Sequence, residues 1–64
     1  MYGFRPNPMT DHEFAAWLKA RYWTAEQHVG KSVHYVNAAN ETLAVAFYNN
    51  ETCERDIFTA ARFE

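Results

Sequence analysis

The sequence predicts an α+β fold in which one N-terminal helix packs on a three-stranded antiparallel meander, in the order α-β-β-β. Three observations carry this. Thr10-Asp11-His12-Glu13 has the form of a capping box, an apolar stripe at helical spacing follows it, and beyond Gly30 the hydrophobic period drops to two.

Residues 1–9 read as an extended arm, because Pro6 and Pro8 lack amide donors and push Arg5 and Asn7 out of helical geometry. The Thr10 hydroxyl can then accept from the amide of position 13, and the Glu13 carboxylate can accept from the Thr10 amide. Asp11 and Glu13 also stand at the positive end of the helix dipole. Phe14, Trp17, Leu18, Tyr22, Ala25 and Val29 recur at steps of three, four and seven, with Gly30 where a left-handed C-terminal cap wants glycine. The expected helix therefore runs from about residue 11 to 29. Thr24-Ala25-Glu26-Gln27 could act as a second capping box and divide it after Trp23, but the stripe passes through without losing phase.

Val33 to Val36 is the first strand candidate and Leu43 to Tyr48 the second, the latter alternating large with small side chains. Cys53 to Phe63 fits either a helix or a strand. The strand reading is preferred, because two Asn-Glu-Thr triplets, at Asn40–Thr42 and Asn50–Thr52, lie at a spacing suited to successive hairpin turns. The whole chain is then one domain: arm 1–9, helix 11–29, meander 32–63. The heavier face of the central strand, Leu43, Val45 and Phe47, should meet Phe14, Leu18, Tyr22 and Val29. The opposite face, with Ala44, Ala46 and Tyr48, would need a cover: the arm aromatics Tyr2 and Phe4, a second copy in a homodimer, or another protein.

Composition excludes several classes. With 48% hydrophobic and 17% aromatic residues, the 64-residue chain is not a disordered segment. A formal net charge of −2 lacks the basic footprint of a general nucleic-acid binder. One cysteine gives no disulfide framework. No stretch reaches the length of a membrane span or a secretory apolar run, so the expected setting is cytoplasmic, without membrane contact. Without a secretory signal, the triplets read as turns rather than glycosylation sites.

The chemistry-bearing residues are His12, His28, His34 and Cys53. They make no metal-ligand spacing and no nucleophile–base pair, and there is no glycine-rich phosphate loop. No enzyme, metal or cofactor is expected. Five Phe, four Tyr and two Trp are more rings than a core this small can hold, and surplus Trp and Tyr suit binding hot spots.

The expected function is thus a small non-enzymatic protein-binding module, serving as inhibitor, adaptor or assembly subunit. Its size is that of many phage and mobile-element accessory proteins, anti-defence inhibitors among them. Trp23, Tyr35, Tyr48, Arg21 and Arg55 are the expected contacts, with Glu51, Glu54 and Asp56 as a charged rim. The second reading is a weak nucleic-acid regulator using Lys19, Arg21, Lys31 and Trp23 as a basic–aromatic patch. Residues 1–40 carry Arg5, Lys19, Arg21 and Lys31 against Asp11, Glu13 and Glu26, a net of +1. Residues 41–64 carry Arg55 and Arg62 against Glu41, Glu51, Glu54, Asp56 and Glu64, a net of −3. Three cations on one patch neutralise few phosphates, which places this reading second.

Overall fold

Thr10 caps the helix as its spacing predicts: its hydroxyl accepts from the Glu13 amide at 3.1 Å, and the Glu13 carboxylate accepts from the Thr10 amide at 2.9 Å. The computed structural model describes residues 3–64, and Met1 and Tyr2 of the arm lie outside it. Donation from the Thr10 amide, and then the Thr10 hydroxyl, hold the Glu13 carboxyl below the usual glutamate range. A depressed folded value means that this contribution is present above the unfolded glutamate range and is lost as pH falls through the folded one. Chemical denaturation should show Thr10→Ala costing about 1 kcal/mol at neutral pH. The difference between wild type and Glu13→Ala should shrink as the solution is acidified, and a pH-independent difference would contradict the capping-box assignment.

The helix (α1, Asp11–Ala20) ends well before residue 29, which corrects the sequence expectation. Arg21 is its C-cap, and Tyr22 then takes a φ of +59°, a left-handed conformation that no further helical turn can follow. Residues Trp23–Val29 form a strand instead. Gly30, with φ +60°, is the first central residue of a two-residue hairpin turn in place of a helix cap, the position that type II′ turns reserve for glycine.

The sheet has five strands where three were expected. In chain order they are β1 (Phe4–Pro6), β2 (Trp23–Val29), β3 (Ser32–Asn37), β4 (Thr42–Asn49) and β5 (Glu54–Ala60), followed by a single 3-10 turn at Ala61–Phe63. Their spatial order is β1-β5-β4-β3-β2, with every neighbouring pair antiparallel. Part of the arm has become an edge strand, and the half of the expected helix beyond Tyr22 has become the opposite edge. The ambiguous last segment is a strand, as preferred.

The turn-like clusters Asn37-Ala38-Ala39-Asn40 and Asn49-Asn50-Glu51-Thr52 both turn the chain. The Asn37 side-chain oxygen accepts from the amides of Ala39 and Glu41, both at 3.0 Å, and Asn40 takes φ +61°. The Asn49 side-chain oxygen accepts from the Glu51 amide at 2.9 Å, and the turn exits through Cys53 at φ +58°. Asparagine suits both jobs, since its short amide mimics a backbone turn and it tolerates the left-handed region.

Cross-strand partners project to the same side of a sheet, so the register assigns the faces. Val33, Ala46 and Ile57 share one row, and Tyr35, Ala44 and Thr59 share the next. The helix lies on this side, with Phe14 and Leu18 clustered against Tyr35, Ala44, Ala46 and Ile57 and flanked by Met9, Trp17 and Val33. The expected packing of Val45 and Phe47 beneath the helix is therefore reversed. The small Ala44 and Ala46 let the helix approach the sheet, while Phe14 and Leu18 supply the volume. A register shift beside Tyr35 leaves Leu43 without a ladder partner, and it is fully buried.

Candidate functional site

The face turned away from the helix is built from the other half of each alternation. His34, Val45, Phe58 and Pro6 are successive partners across β3, β4, β5 and β1, with Ser32, Phe47 and Asp56 in the next row. Phe4, His34, Val45, Phe47 and Phe58 line a shallow depression of about 320 Å³ on this side. Phe47 and Phe58 meet edge to face, with ring centroids 5.8 Å apart at 89°. Phe4 and Phe47 remain 47% and 44% exposed, whereas Val45 beneath them is only 7% exposed. A ring pair so placed shields Val45 on one side and offers its other side to solvent.

An adjoining depression of about 660 Å³ continues from Phe47 and Phe58 to Lys31, Tyr48, Asn49, Asn50, Glu51 and Asp56. Asp56 stands opposite Phe47 in the ladder, and Glu54 stands opposite Asn49. The apolar centre thus has an acidic border at the β4–β5 end, with Lys31 of the β2–β3 turn as its cation. Apolar centre and charged rim are the layout of a protein-binding surface.

The residues expected to make contact are distributed differently. Tyr35 is in the core, 8% exposed, between Phe14 and Trp23 with ring centroids at 5.0 and 5.6 Å. Burial, and then the nearby Glu26 carboxylate, raise its phenol above the usual tyrosine range, with Arg55 opposing them. Trp23 is about one-third exposed on the helix side. Tyr48 is half exposed and stands next to Arg55 in the ladder, near the start of the helix. Arg21 closes the end of the helix: its side chain donates to the carbonyls of Trp17 and Phe63, and its guanidinium lies 3.9 Å over the Trp17 ring. Arg55 pairs with Asp11 and lies over the Phe14 ring. Glu51, Glu54 and Asp56 are exposed together at the β4–β5 end.

The residues of the nucleic-acid reading are not gathered. Lys31 is in the turn beyond Val29, at the far end of β2 from Trp23, roughly 20 Å away at strand rise. Arg21 is engaged by two carbonyls. Among the described residues Arg5, Arg55 and Arg62 each face a carboxylate, from Glu64, Asp11 and Glu41 respectively.

His12, His28 and His34 lie on α1, β2 and β3, and Cys53 is exposed in the β4–β5 turn. Among the described residues, no group of three or more His, Cys, Asp or Glu side chains could hold a metal ion. No helix there is long and apolar enough to cross a membrane.

Sequence reasoning missed Phe47 and Phe58 as surface residues, because it set the heavier face of β4 under the helix; Phe4 it offered as a cover for the face away from the helix, and Phe4 lies on that face. A signal existed: Phe58 is out of phase with Ile57 and Thr59, so the last strand carries a large ring on the side opposite the residues that alternate into the core. Compared with protein-family models, curated proteins and solved structures, the chain matches none of them.

Proposed function

We propose that the protein is a small non-enzymatic protein-binding module whose contact surface is the open face of its sheet. The observation behind this reading is the cluster of Phe4, Val45, Phe47 and Phe58 on the side the helix leaves bare. Contiguous exposed rings of this kind cost free energy in water and favour a covered state. The acidic border at Glu51, Glu54 and Asp56 selects a partner that presents apolar side chains flanked by Lys or Arg. Such a module would act as an inhibitor, adaptor or assembly subunit, by occupying or bridging its partner's surface.

The test compares wild type with Phe47→Asp and with Lys19→Glu as immobilised baits in extract of the native cell, with protein and nucleic acid both identified. A protein retained by wild type and Lys19→Glu but reduced at least about tenfold by Phe47→Asp is the expected result. Phe47→Asp should lower folding stability by about 1–2 kcal/mol, through the lost ring contact and the carboxylate it sets opposite Asp56. Capture of nucleic acid, abolished by Lys19→Glu and by modest salt, would favour the second reading. Arg21 is unsuitable for that control, since its removal would uncap the helix.

A further inference from the structure

The two edges of the sheet are treated unequally. On one side β1 has three residues, contains Pro6 and is followed by Pro8, which is how sheet edges are made poor templates. On the other side β2 runs for seven residues without proline, and all seven are exposed. The helix core lies on β3, β4 and β5; Trp23 at the start of β2 leans on Tyr35 of that core, and the residues of β2 after it are exposed. A long, uncovered edge of this kind presents a row of unpaired backbone donors and acceptors.

The direction of those groups follows from the hairpin. Val29 and Ser32 flank the two-residue turn Gly30-Lys31, and the pair that closes such a turn is hydrogen-bonded. Alternation then sends the backbone groups of Val29, Gln27 and Ala25 towards β3, and those of His28 and Glu26 outwards.

We propose that β2 pairs antiparallel with β2 of a second copy of this chain about a two-fold axis at Gln27, giving a dimer with a continuous ten-stranded sheet. The outward groups allow three symmetric registers. Centring on Glu26 sets Glu26 against itself, and centring on His28 sets His28 against itself. Centring on Gln27 opposes Glu26 to His28 of the second copy, twice by symmetry, so that each carboxylate faces an imidazole. Glu26 and His28 already approach each other within one strand, at 3.5 Å, on the helix side of the sheet. The pairing would therefore assemble two carboxylates and two imidazoles in alternation. On the open side the same register sets Ala25 against Val29, which is 57% exposed in the single chain. A carboxylate facing an imidazole N–H, and apolar side chains in facing positions, are stabilising cross-strand pairs of an antiparallel ladder.

This dimer uses the sheet edge and rests on no part of the open-face reading; it would leave that face free on both copies. Sedimentation equilibrium of the full chain from about 10 μM to 1 mM spans the range expected for a single strand-pair interface. The proposal expects a monomer–dimer equilibrium in which Glu26→Lys and His28→Glu each raise the dissociation constant about tenfold, since Glu26→Lys removes both carboxylate–imidazole pairs and His28→Glu sets two pairs of carboxylates opposite one another. The double variant Glu26→Lys/His28→Glu should restore it, because Lys and Glu then face each other across the axis. Both positions of change are exposed, so thermal unfolding and far-ultraviolet circular dichroism should match wild type within each species. A monomer throughout the range would overturn the proposal. So would a dimer indifferent to the single swaps and lost with Phe47→Asp, which would assign the contact to the open face.

Discussion

Phe14→Ala should remove a large share of the chain's folding stability, about 3–5 kcal/mol. Phe14 is 2% exposed, its ring meets Tyr35 edge-on, and it belongs with Leu18 to the helix's contribution to the core. Removing a buried phenylalanine costs about 3–5 kcal/mol, through lost transfer free energy and the cavity left behind. A domain of this size has a total stability of roughly 3–10 kcal/mol, so the loss is comparable to the whole. Arg55 makes the loss steeper, because its guanidinium lies over the same ring while paired to Asp11. Urea titration followed by circular dichroism checks this. A variant that keeps a cooperative transition within about 1 kcal/mol of wild type would show that the helix is not anchored through Phe14.

Ala44→Phe should destabilise by about 3 kcal/mol, although it adds apolar surface. Ala44 is fully buried beneath the helix, in one row with Tyr35 and Thr59. A ring there must lift the helix off the sheet or displace Tyr35, because close-packed interiors have no spare volume. Phe47→Ala, on the other face of the same strand, should cost much less, since Phe47 is only partly covered. The contrast separates the two packings. If the larger face of β4 lay under the helix, Phe47→Ala would be the damaging change and Ala44→Phe the tolerated one. Denaturation midpoints of the two variants decide between them.

How much could be read beforehand differs from element to element. The Thr10 capping box, the Asn37 and Asn49 turns and the β4 strand were legible because each depends on residues within a few positions of one another. The boundary at Tyr22 was not. Nothing local forbids helix from Trp23 to Val29, and the stripe of Tyr22, Ala25 and Val29 stays in helical phase. The segment is also exposed along its whole length, so it carries no period-two signature of a strand. Its conformation is decided by the free edge of β3, which supplies hydrogen-bond partners from Ser32 to Asn37. The arm behaves the same way: Phe4 to Pro6 is a strand only because Phe58 to Ala60 lies alongside it.

The candidate surface was half legible. An excess of rings over core volume is countable in the sequence, and it pointed to contact by aromatic residues. Which rings are left outside depends on which face of β4 the helix chooses, and two such faces look equally plausible from alternation alone. Tyr35 was expected outside and is inside; Phe47 was expected inside and is outside.

The sequence by itself therefore determined the α+β class, the start of the helix, the turns and the presence of unburied aromatic surface, all of which follow from local chemistry and composition. Only the tertiary structure decided the end of the helix, the two outer strands and the face the helix covers. Those outcomes rest on contacts between residues far apart in the chain: Phe14 and Leu18 pack against Ala44 and Ala46, whose small side chains leave them room, and Phe4, Phe47 and Phe58 are left on the open face.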